Sequence, residues 1–594
     1  MSIIGNFEMN ILGISCYYHD SSVALLKDGR IVAAAQEERF TRKKHDTSFP
    51  VHSVEYCLKS QNLKIEDIDY IAFYEKPLLK FERLLYQHLQ YFPKSYRIFL
   101  SNMPSWFNEK LRILKAIRKK LKYKKNVLFV EHHMAHAAGS FFPSPFKESA
   151  IITIDGVGEW TTTSYGIGKE NKVTLQKHIN FPHSLGLLYS AITAYLGFSV
   201  NNSEYKVMGL SPYGNTNRDA NPYYKKLKKV IEIKDDGSYK LNMDYFTYSY
   251  KNKMPSKKLC SLLDGPIRNP EEEITQRHKD VAAALQLVYE DALFKIVDYV
   301  HKQTKCDNLV IAGGCALNSV ANGKILRNSS FKKIWCQPDP GDGGTSMGAA
   351  LFVWNALLNK KREYVLDNPY LGPKYSDNGI KKFLKDNFIK FSEFKDEKEL
   401  VKSVSKLIFE NNVIGWFQGG MEWGPRALGS RSILSNPTNP KMQEILNLKV
   451  KHREKFRPFA PVVCEDDALK YFDCDDPIPR PTDFMLMVYP IKKEWHKKIP
   501  AVTHVDGSGR LQTIRRNDNS LYYDLIKEFG KLSKIPILIN TSFNIRGEPI
   551  VCSPRDAYRC MMGTGIDYLV VGRFLVKRED NPKDMWDSEE LAKD

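Results

Sequence analysis

The chain has 594 residues, of which 42% are hydrophobic and 26% are charged. This length exceeds what a single core supports, and the composition is that of a globular protein. Several domains are therefore expected, and an intrinsically disordered protein is excluded. The net charge of +19 favours an anionic ligand. The sequence has no zinc-finger spacing and no RNA-recognition signature, so no nucleic-acid partner is expected.

Cysteine usage and hydropathy bear on where the protein works. The ten cysteines include no CxxC pair, and their scatter over a long chain is unlike a disulfide framework. A cytoplasmic location is therefore predicted. The N-terminus lacks the basic and apolar regions of a secretory signal. No stretch of about 20 apolar residues predicts a transmembrane segment.

The first predicted elements form a hairpin, with strands at 11–16 and 23–26 around a polar turn. The pattern recurs where strand 150–154 runs into the glycine-rich turn 155–160 and returns as strand 161–166. Such a repeat is typical of the actin, sugar-kinase and Hsp70 class, in which ATP binds between two similar halves. A single hairpin is common in α/β proteins, so the duplication carries this prediction.

Two histidines follow a predicted strand at 127–130. His132 and His136 are four residues apart, so on a helix they lie about 40° apart on one face, where both imidazoles can bind one ion. HxxxH also arises by chance, but the Ala-rich surroundings favour a metal because small residues allow close approach. A third ligand is needed. Asp342, in a glycine-rich turn, is the best carboxylate available, although an isolated Asp there more often caps the turn itself.

The second half of the chain adds a glycine-rich turn and a set of arginines. The predicted strand 308–312 runs into Gly313 and Gly314, whose backbone N–H groups can approach a nucleotide closely. A linker is predicted at 360–377, and a second domain begins after it. Within that domain, Arg426 and Arg457 are flanked by proline and apolar residues. Such arginines bind phosphate or carboxylate bidentately, and a phosphate-bearing ligand and structural ion pairs explain them equally well.

Taken together, ten segments resemble the O-carbamoyltransferases of the nodulation, tobramycin and cephamycin type, which transfer carbamoyl groups to hydroxyls of natural products and sugars. The resemblance extends from about Ile11 to Val576. One turn reads Asp-Gly-Gly where the family pattern suggests Asp-Ala-Gly, a minor departure. The segments are YYHDSSVALLKDG, AAAQEERFTRKKHD, EHHMAHAAGSFFPSPF, TIDGVGEW, SEYKVMGLSPYG, AGGCALNSVANGK, PDPGDGGTSMGAA, MEWGPRALGSRSIL, KFRPFAPVV and INTSFNIRGEPIV.

The resemblance implies an α/β protein of two domains. Residues 1–365 would form a duplicated, actin-like domain similar to the threonylcarbamoyl-transferring subunit of tRNA modification. Residues 366–594 would form an α+β domain similar to its carbonyl-adenylating partner. The second domain would make carbamoyl-adenylate from ATP and carbamoyl phosphate. The first, with a divalent metal (iron, or alternatively Mg²⁺), would transfer the carbamoyl group to a hydroxyl of a small-molecule or sugar acceptor in natural-product or polysaccharide biosynthesis.

The same resemblance assigns residues to these roles. The metal ligands would be His132, His136 and Asp342. His19 would lie in the transfer site, and we expect it to act as general base because a histidine titrates near neutrality; the alternative is that it only orients the acceptor or its own loop. The nucleotide would be held by Asp155, Gly156, Gly158, Glu204, Lys206, Gly313, Gly314 and Asn318. The carbamoyl-phosphate side would comprise Arg426, Arg431, Lys449, Arg457, Arg510, Asn540 and Arg546.

Several alternatives stay open at this level. An actin-like-fold small-molecule kinase would leave ADP, whereas a carbamoyltransferase of this type would leave AMP and pyrophosphate. A tRNA-associated nucleotide-dependent module would bind nucleic acid with strong salt dependence. The basic segment 109–125, with Leu111, Leu114, Ile117 and Leu121 at helical spacing, predicts a helix with a solvated lysine face. Alternatively it contacts an acidic acceptor or an anionic membrane. A monomer or homodimer is expected.

Overall fold

The computed structural model describes residues 8–454 and 456–582. The chain forms two compact units. The first comprises the residues up to Ala34 together with Thr47–Asn318 and Ile325–Leu366; the second comprises Ala35–Asp46, Ser319–Lys324 and the residues from Asp367 onward. The segment considered for a secretory signal begins in residues 1–7, outside the described residues. Within the described ranges, no helix is both long and apolar enough to span a bilayer.

Two five-stranded sheets belong mainly to the first unit. The first contains β1 (Asn10–Ser15), β2 (Ser22–Lys27), β3 (Arg30–Gln36), β4 (Tyr70–Phe73) and β5 (Asn126–Phe129). The second contains β6 (Glu148–Ile154), β7 (Thr161–Lys169), β8 (Lys172–Asn180), β11 (Asn308–Ala312) and β12 (Lys333–Trp335). A separate hairpin consists of β9 (Ile231–Ile233) and β10 (Tyr239–Leu241).

The two sheets have the same strand order. The first is β3-β2-β1-β4-β5, and the second, read in the same sense, is β8-β7-β6-β11-β12. In each, the central strand pairs antiparallel with the next strand in sequence and parallel with a later one. The predicted duplication is therefore confirmed, and the unit has the actin-like α/β architecture.

The helices of the first unit surround these sheets. They are α2 (Val51–Ser60), α3 (Pro77–Gln90), α4 (Tyr96–Asn108), α5 (Ile113–Leu121), α6 (His132–Phe141), α7 (Leu185–Tyr195), α8 (Glu204–Leu210), α9 (Tyr224–Leu227), α10 (Lys257–Leu262), α11 (Gln276–Thr304) and α13 (Thr345–Phe352). Helix α13 continues as a π-helical turn, Val353–Leu357. In the basic segment, Ile113 and Ile117 are buried, whereas Leu114 is 38% exposed. The segment forms a helix over Ile113–Leu121 with Lys115, Lys119 and Lys120 exposed, in agreement with the predicted solvated lysine face.

The second unit is built on a nine-stranded mixed sheet of order β13-β21-β20-β14-β15-β19-β16-β18-β17. Its strands are β13 (Ser392–Glu393), β14 (Ile414–Phe417), β15 (Arg431–Ser435), β16 (Ala460–Cys464), β17 (Met487–Pro490), β18 (Ser508–Ile514), β19 (Ile537–Ser542), β20 (Tyr568–Val571) and β21 (Phe574–Lys577). Its helices are α1 (Glu38–Thr41), α14 (Asp377–Asp386), α15 (Glu397–Phe409), α16 (Met442–Ile445), α17 (Glu465–Tyr471), α18 (Ser520–Ser533) and α19 (Pro554–Met562), and α12 (Ser319–Ile325) lies largely in this unit.

The core of the second unit lies between this sheet and the helices α15 and α18. Both helices turn an apolar stripe inward, with Val404 and Ile408 on α15 and Tyr522 and Phe529 on α18. These side chains pack on sheet residues such as Trp416, which is fully buried. Burying an aromatic of this size removes about 150–250 Å² from water, so this layer fixes the sheet on which the cationic side chains described below are placed.

Helices α6 and α13 approach each other closely because glycine lies at their contact. A Cβ added at Gly348 would lie 1.8 Å from the carbonyl oxygen of Ala135. Only a residue without a side chain permits this approach. The contact brings the start of α6 next to the turn that precedes α13, and the candidate site lies there.

The Gly348→Ala substitution should therefore destabilise the first unit. The added methyl group forces backbone apart, and overpacking of this kind costs about 2 kcal/mol or more, which lowers Tm by at least about 4 °C. Gly379→Ala is the control, because a Cβ there meets nothing closer than the Ser376 hydroxyl at 3.4 Å. Thermal unfolding followed by circular dichroism compares the two variants. Equal Tm values would contradict the packing argument.

Candidate functional site

Four buried ionisable side chains converge where α6 begins. His132 is the first residue of α6, and His136 lies one turn later. Asp155 directly follows β6. Asp342 begins a short 3-10 turn, Asp342–Gly344, directly before α13. The helical spacing therefore places the two histidines, the end of β6 places Asp155, and the α6–α13 contact brings Asp342 to them.

Their ligating atoms all lie within 4.8 Å of one another. The Nε2 atoms of His132 and His136 are 3.1 Å apart. His132 Nε2 lies 3.1 Å from Asp155 Oδ2, and His136 Nε2 lies 3.4 Å from Asp342 Oδ1. Ligands about 2.1 Å from a single ion are separated by about 3–4 Å, so these distances match a metal-binding cavity.

The electrostatics of the cluster also fit a cation. Burial opposes ionisation of both carboxyls, yet the nearby histidines hold the pKa values of Asp155 and Asp342 below their usual range. Both Asp342 oxygens are buried and accept no hydrogen bond from any described residue. Buried carboxylate oxygens are rarely left this way, and two imidazole nitrogens 3.1 Å apart need a proton or an ion near them. Two nitrogen and two oxygen donors suit Fe²⁺, Mn²⁺ or Zn²⁺ better than Mg²⁺.

Two neighbouring groups position the cluster and were not anticipated from the sequence. The Glu159 carboxylate accepts the backbone N–H of His132, at 3.1 and 3.2 Å, and so caps α6 with a negative charge. The ring of Tyr74 packs edge-on against that of His132 at 5.7 Å. His133 points away from the cluster, since its Nδ1 lies 2.6 Å from Thr153 Oγ1. In the sequence, Glu159 is visible only as a carboxylate within the segment TIDGVGEW. Only the fold pairs it with α6.

His19 lies at the edge of this cluster. Its Nε2 is 3.6 Å from Asp342 Oδ2, and its Nδ1 is 2.9 Å from Asp20 Oδ2. Burial lowers the pKa of His19, but Asp342 and Asp20 outweigh it and raise the pKa well above the usual value. Among the protein's own groups the imidazole is therefore a proton donor. A cation shared with Asp342 would reduce that effect and return His19 toward neutrality.

The glycine-rich turns of the first unit adjoin the cluster. Gly313 has a φ of +91°, and a Cβ there would lie 2.2 Å from the carbonyl oxygen of Ile154. Gly314 N–H donates to Asp155 Oδ1 at 2.8 Å. Open space surrounds the Cβ position of Gly156, whereas that of Gly158 lies 3.0 Å from the His132 ring. Asp155, which the resemblance placed with the nucleotide, thus lies among the metal-site groups and ties the two turns together.

The other residues assigned to the nucleotide lie farther along the unit. Glu204 begins α8 and accepts the Ser190 hydroxyl at 2.7 Å. Lys206 lies on the same helix, with its ammonium 5.6 Å from the centre of the Phe198 ring. Asn318 exchanges amide hydrogen bonds with Gln286 at 3.0 and 3.2 Å. Glu204 and Asn318 therefore hold the local structure together, and Gln286 is a partner that the motifs did not reveal.

In the second unit, cationic side chains collect at one edge of the sheet. The register pairs Ala460 with Asn540 and runs β16 parallel to β18, so the starts of β16 and β18 meet the end of β19. Arg457 lies shortly before β16 and Arg510 lies on β18. Arg546 follows β19 and donates to the carbonyl of His452 at 3.4 Å. This cationic edge is suited to an anion.

A buried lysine, Lys451, completes the cationic edge. It is 3% exposed and donates to the carbonyl of Ser542 and to both oxygens of Asn544, the latter at 2.9 Å. Burial lowers its pKa, and the neighbouring positive charges of Arg453 and Arg457 lower it further. By contrast Lys449, the residue named from the motif, is exposed. A phosphate bound at this edge would offset the mutual repulsion.

Two of the assigned residues, Arg431 and Asn540, donate hydrogen bonds to backbone carbonyl groups. Arg431 is fully buried, donates to the carbonyl oxygens of Gln418 and Pro373 at 2.7 and 2.8 Å, and lies 3.6 Å from the centre of the Phe417 ring. Asn540 is also fully buried and donates to the Ala427 carbonyl at 3.1 Å. Both therefore hold backbone in place, which is the structural role left open for such residues at the sequence level.

The loop that carries Arg426 is fixed from inside. One oxygen of the buried Glu422 carboxylate accepts the backbone N–H groups of Leu428, Ser430 and Arg431, at 2.8, 2.7 and 3.0 Å. Together with Asn540, this carboxylate fixes the loop and thereby positions Arg426 without contacting a ligand itself. Glu422 lies in the MEWGPRALGS segment, but its role depends on the folded loop.

Comparison with known proteins agrees with this arrangement. The family model described as Carbamoyltransferase N-terminus matches residues 10–351, and that described as Carbamoyltransferase C-terminus matches residues 405–578. The chain belongs to the carbamoyltransferase family. Carbamoyl transfer is therefore its class of activity, and the resemblance inferred from the motifs is confirmed.

Relatives of this carbamoyltransferase cover nearly the whole chain. An uncharacterized protein of Synechocystis sp. is 45% identical over 97% of each chain. Nodulation protein NolNO of Sinorhizobium fredii is 35% identical over 96% of this chain and 80% of its own. The crystal structure of T. kodakarensis HypF is a distant structural match, with 14% identity, a TM-score of 0.30, and coverage of 60% of this chain and 49% of that one. The fold assignment rests on the sheet order.

Loss of one cluster ligand should abolish tight metal binding. We expect His136→Ala to weaken binding of Mn²⁺ or Fe²⁺ by about 100-fold, because a ligand is lost from a buried site. His133→Ala is the matched control, since it removes an adjacent buried imidazole that lies outside the cluster. Metal content after dialysis and titration calorimetry report the difference. Equal metal loss in both variants would contradict the assignment.

Metal binding should also release a proton near neutral pH. Burial lowers the pKa of His132, but Asp342 and Asp155 outweigh it and raise the pKa to about 9. Below pH 9 the ion must displace that proton, so affinity should rise about tenfold per pH unit from pH 6.5 to 8.5. Mn²⁺ titrations at several pH values, in buffers of different ionisation enthalpy, measure both the slope and the proton release. A pH-independent affinity would contradict this expectation.

Proposed function

We propose that the protein is an ATP-dependent O-carbamoyltransferase that forms carbamoyl-adenylate from carbamoyl phosphate and ATP and passes the carbamoyl group to a hydroxyl of a small-molecule or sugar acceptor. The single observation that carries the proposal is that each family segment contains a site of the expected chemistry. The first unit has four clustered side chains that could hold a metal ion, and the second has a cationic edge suited to phosphate.

The activation step calls for positive charge around phosphate groups. An unactivated carbamate is a poor electrophile, and joining it to AMP supplies a good leaving group. Arg457, Arg510 and Arg546 would bind the carbamoyl phosphate, and Lys451 would add charge and hold the Ser542–Asn544 loop against it. Fixed cations of this kind stabilise charge that develops on transferring groups.

The transfer step calls for a cation and a proton acceptor close together. His132, His136, Asp155 and Asp342 would hold a divalent ion. Fe²⁺ is preferred because the family resemblance implies it and the donor set suits it, with Mg²⁺ as the alternative. When bound, such an ion polarises a carbonyl or phosphoryl oxygen. His19 would take the proton of the attacking hydroxyl through Nε2, while Asp20 holds its Nδ1. The alternative is that His19 orients the acceptor by hydrogen bonding.

The reaction products test the proposal directly. The metal-loaded protein is incubated with carbamoyl phosphate, ATP and a panel of hydroxyl acceptors. We expect AMP, pyrophosphate and a carbamoylated acceptor, and no AMP when carbamoyl phosphate is omitted. An actin-like-fold kinase would produce ADP instead. Failure to form AMP and pyrophosphate with every acceptor would refute the proposed reaction.

The two steps should be separable by mutation. His136→Ala should retain carbamoyl-phosphate-dependent ATP–pyrophosphate exchange, because activation is assigned to the second unit. It should lose at least about 100-fold in carbamoyl transfer, because a Lewis acid contributes several kcal/mol to such a step. Loss of both activities together would show that the division of labour is wrong.

The buried lysine of the cationic edge should matter more than the exposed one named from the motif. Lys451→Met should raise the KM for carbamoyl phosphate by about tenfold or more, because a charge and three hydrogen bonds are lost at the phosphate site. Lys449→Met, two residues away, should change it by less than about twofold. Initial rates of ATP–pyrophosphate exchange at varied carbamoyl phosphate measure both. The reverse order of effects would restore Lys449 to the site.

A further inference from the structure

Helix α3 carries two cations that are buried on the same face. Lys80 and Arg83 are three residues apart, so their side chains are neighbours on the helix, and each is only 6% exposed. A buried cation is costly unless an anion or an ordered set of hydrogen-bond acceptors faces it. The surroundings of these two side chains therefore indicate what the region is built to hold.

The two cations differ in their partners. The Lys80 ammonium lies 2.5 Å from Glu75 Oε2 and 4.8 Å from the centre of the Tyr18 ring. Arg83 lies over the Phe181 ring at 5.0 Å, and its buried Nε has no hydrogen-bond partner among the described residues. No ion pair to Arg83 is present in the part of the chain that the structure describes. A guanidinium stacked on an aromatic ring keeps its hydrogen-bonding edge available.

The nearby carboxylates are already engaged. Glu75 pairs with Lys80, and Glu159 accepts backbone N–H groups of His132 and Lys76. A third cation, Lys110, lies close enough to Lys80 to feel its charge. Burial lowers the pKa of Lys110, and the charge of Lys80 lowers it further. Burial likewise lowers the pKa of Arg83 to about 10. Glu75 more than offsets the burial of Lys80, whose pKa is raised. For Arg83, Tyr18, Glu75 and Glu159 only partly offset the effect of burial, so the protein supplies this guanidinium with less negative charge than its burial requires.

This cationic group lies beside the proposed transfer site. Tyr18, which Lys80 contacts, also packs against the ring of His19 at 4.6 Å. His19 in turn contacts Asp342. On the next turn of α3, Tyr86 packs against Trp160 at 5.7 Å, and Trp160 directly follows Glu159. A molecule that places a hydroxyl at His19 would therefore extend past Tyr18 toward Arg83.

We propose that Arg83, supported by Lys80 and Tyr18, binds an anionic group, a carboxylate or a phosphate, carried by the hydroxyl acceptor. The inference rests on the proposed carbamoyl transfer and names the acceptor class: an acidic sugar, a hydroxy acid or a phosphorylated alcohol. The free edge of the guanidinium provides two parallel donors for such a group. The anion would also supply the negative charge that the buried arginine lacks, and so would offset the cost of burying Arg83.

The first test concerns stability and needs no acceptor. If Arg83 is retained for ligand binding at the expense of stability, a neutral side chain at this position should stabilise the folded protein. Arg83→Met should therefore raise Tm by several degrees. Sulfate, compared with chloride at equal ionic strength, should stabilise the wild type more than Arg83→Met. The difference between proteins is the signal, because sulfate also acts by general exclusion. Arg97→Met, on an exposed arginine of α4, should match the wild type. A lower Tm for Arg83→Met without a sulfate difference would overturn the proposal.

The second test compares acceptors that differ only in charge. The full-length, metal-loaded protein with ATP and carbamoyl phosphate is offered methyl β-D-glucuronide against methyl β-D-glucoside, and glucose 6-phosphate against glucose. The two pairs separate a carboxylate from a phosphate. We expect the anionic member of at least one pair to bind more tightly in thermal-shift titrations and to have at least tenfold higher kcat/KM. Arg83→Gln should lose this preference through KM while its ATP–pyrophosphate exchange is unchanged.

The outcomes separate this inference from the proposed function. Absence of exchange in the wild type would refute the carbamoyl-adenylate route, while the sulfate and binding data would still decide the anion site. Equal or tighter binding of the neutral members would overturn the anionic acceptor even if exchange proceeds. An equal loss of both members of each pair in Arg83→Gln would assign Arg83 a structural role and overturn it as well.

Discussion

The first unit depends on keeping four ionisable groups together out of water. Two imidazoles and two carboxylates within 4.8 Å form a stable set only when positive and negative charges balance, by protons or by a metal ion. The neighbouring structure serves this requirement. Glycine at the α6–α13 contact lets Asp342 approach His136, Glu159 caps the helix that begins with His132, and Asp155 links the cluster to the backbone of Gly314. The close helix packing and the cluster therefore depend on each other in the first unit.

The second unit meets a different requirement by similar means. Positive charge must be concentrated where a phosphate can reach it, although like charges repel. The sheet register achieves this by bringing the starts of β16 and β18 and the end of β19 to one edge. The buried groups Arg431, Asn540 and Glu422 hold the neighbouring backbone, including the loop that carries the half-buried Arg426. This rigid support holds the positive charges close together in the folded protein despite their mutual repulsion. A bound anion would offset that repulsion.

The cationic edge of the second unit and the cations on α3 differ in their proposed ligands. The first is proposed to bind the carbamoyl donor, and the second the acceptor. The edge in the second unit lies in segments shared with the carbamoyltransferase family, as expected of residues that bind a common co-substrate. Arg83 and Lys80 lie instead on α3, outside the ten segments that carry the family resemblance. An acceptor-binding element is expected to vary in this manner, because the group to be carbamoylated differs while the carbamoyl donor does not. The proposed role of Arg83 would make this stretch an element of acceptor specificity.

Much of this protein was determined by local sequence. The alternating strands and glycine-rich turns specify the two hairpins, the HxxxH spacing places two imidazoles on one helix face, and the flanking prolines single out the arginines of the second unit. These features depend on residues close together in the chain, where backbone geometry has few options. The motif resemblance extended them to the family and to the class of reaction.

Only the tertiary structure determined which residues far apart in the sequence contact each other. Asp155 joined the metal cluster because strand β6 ends opposite α6. Lys451 is buried beside Ser542 and Asn544, whereas Lys449, at the π-helical turn Leu446–Val450, is exposed. Arg431 and Asn540 proved to be supports because the carbonyl groups they bind come from other loops. Arg83 looked like an ordinary charge on an amphipathic helix. Its burial against Phe181, about a hundred residues away, is a long-range contact that no local pattern specifies.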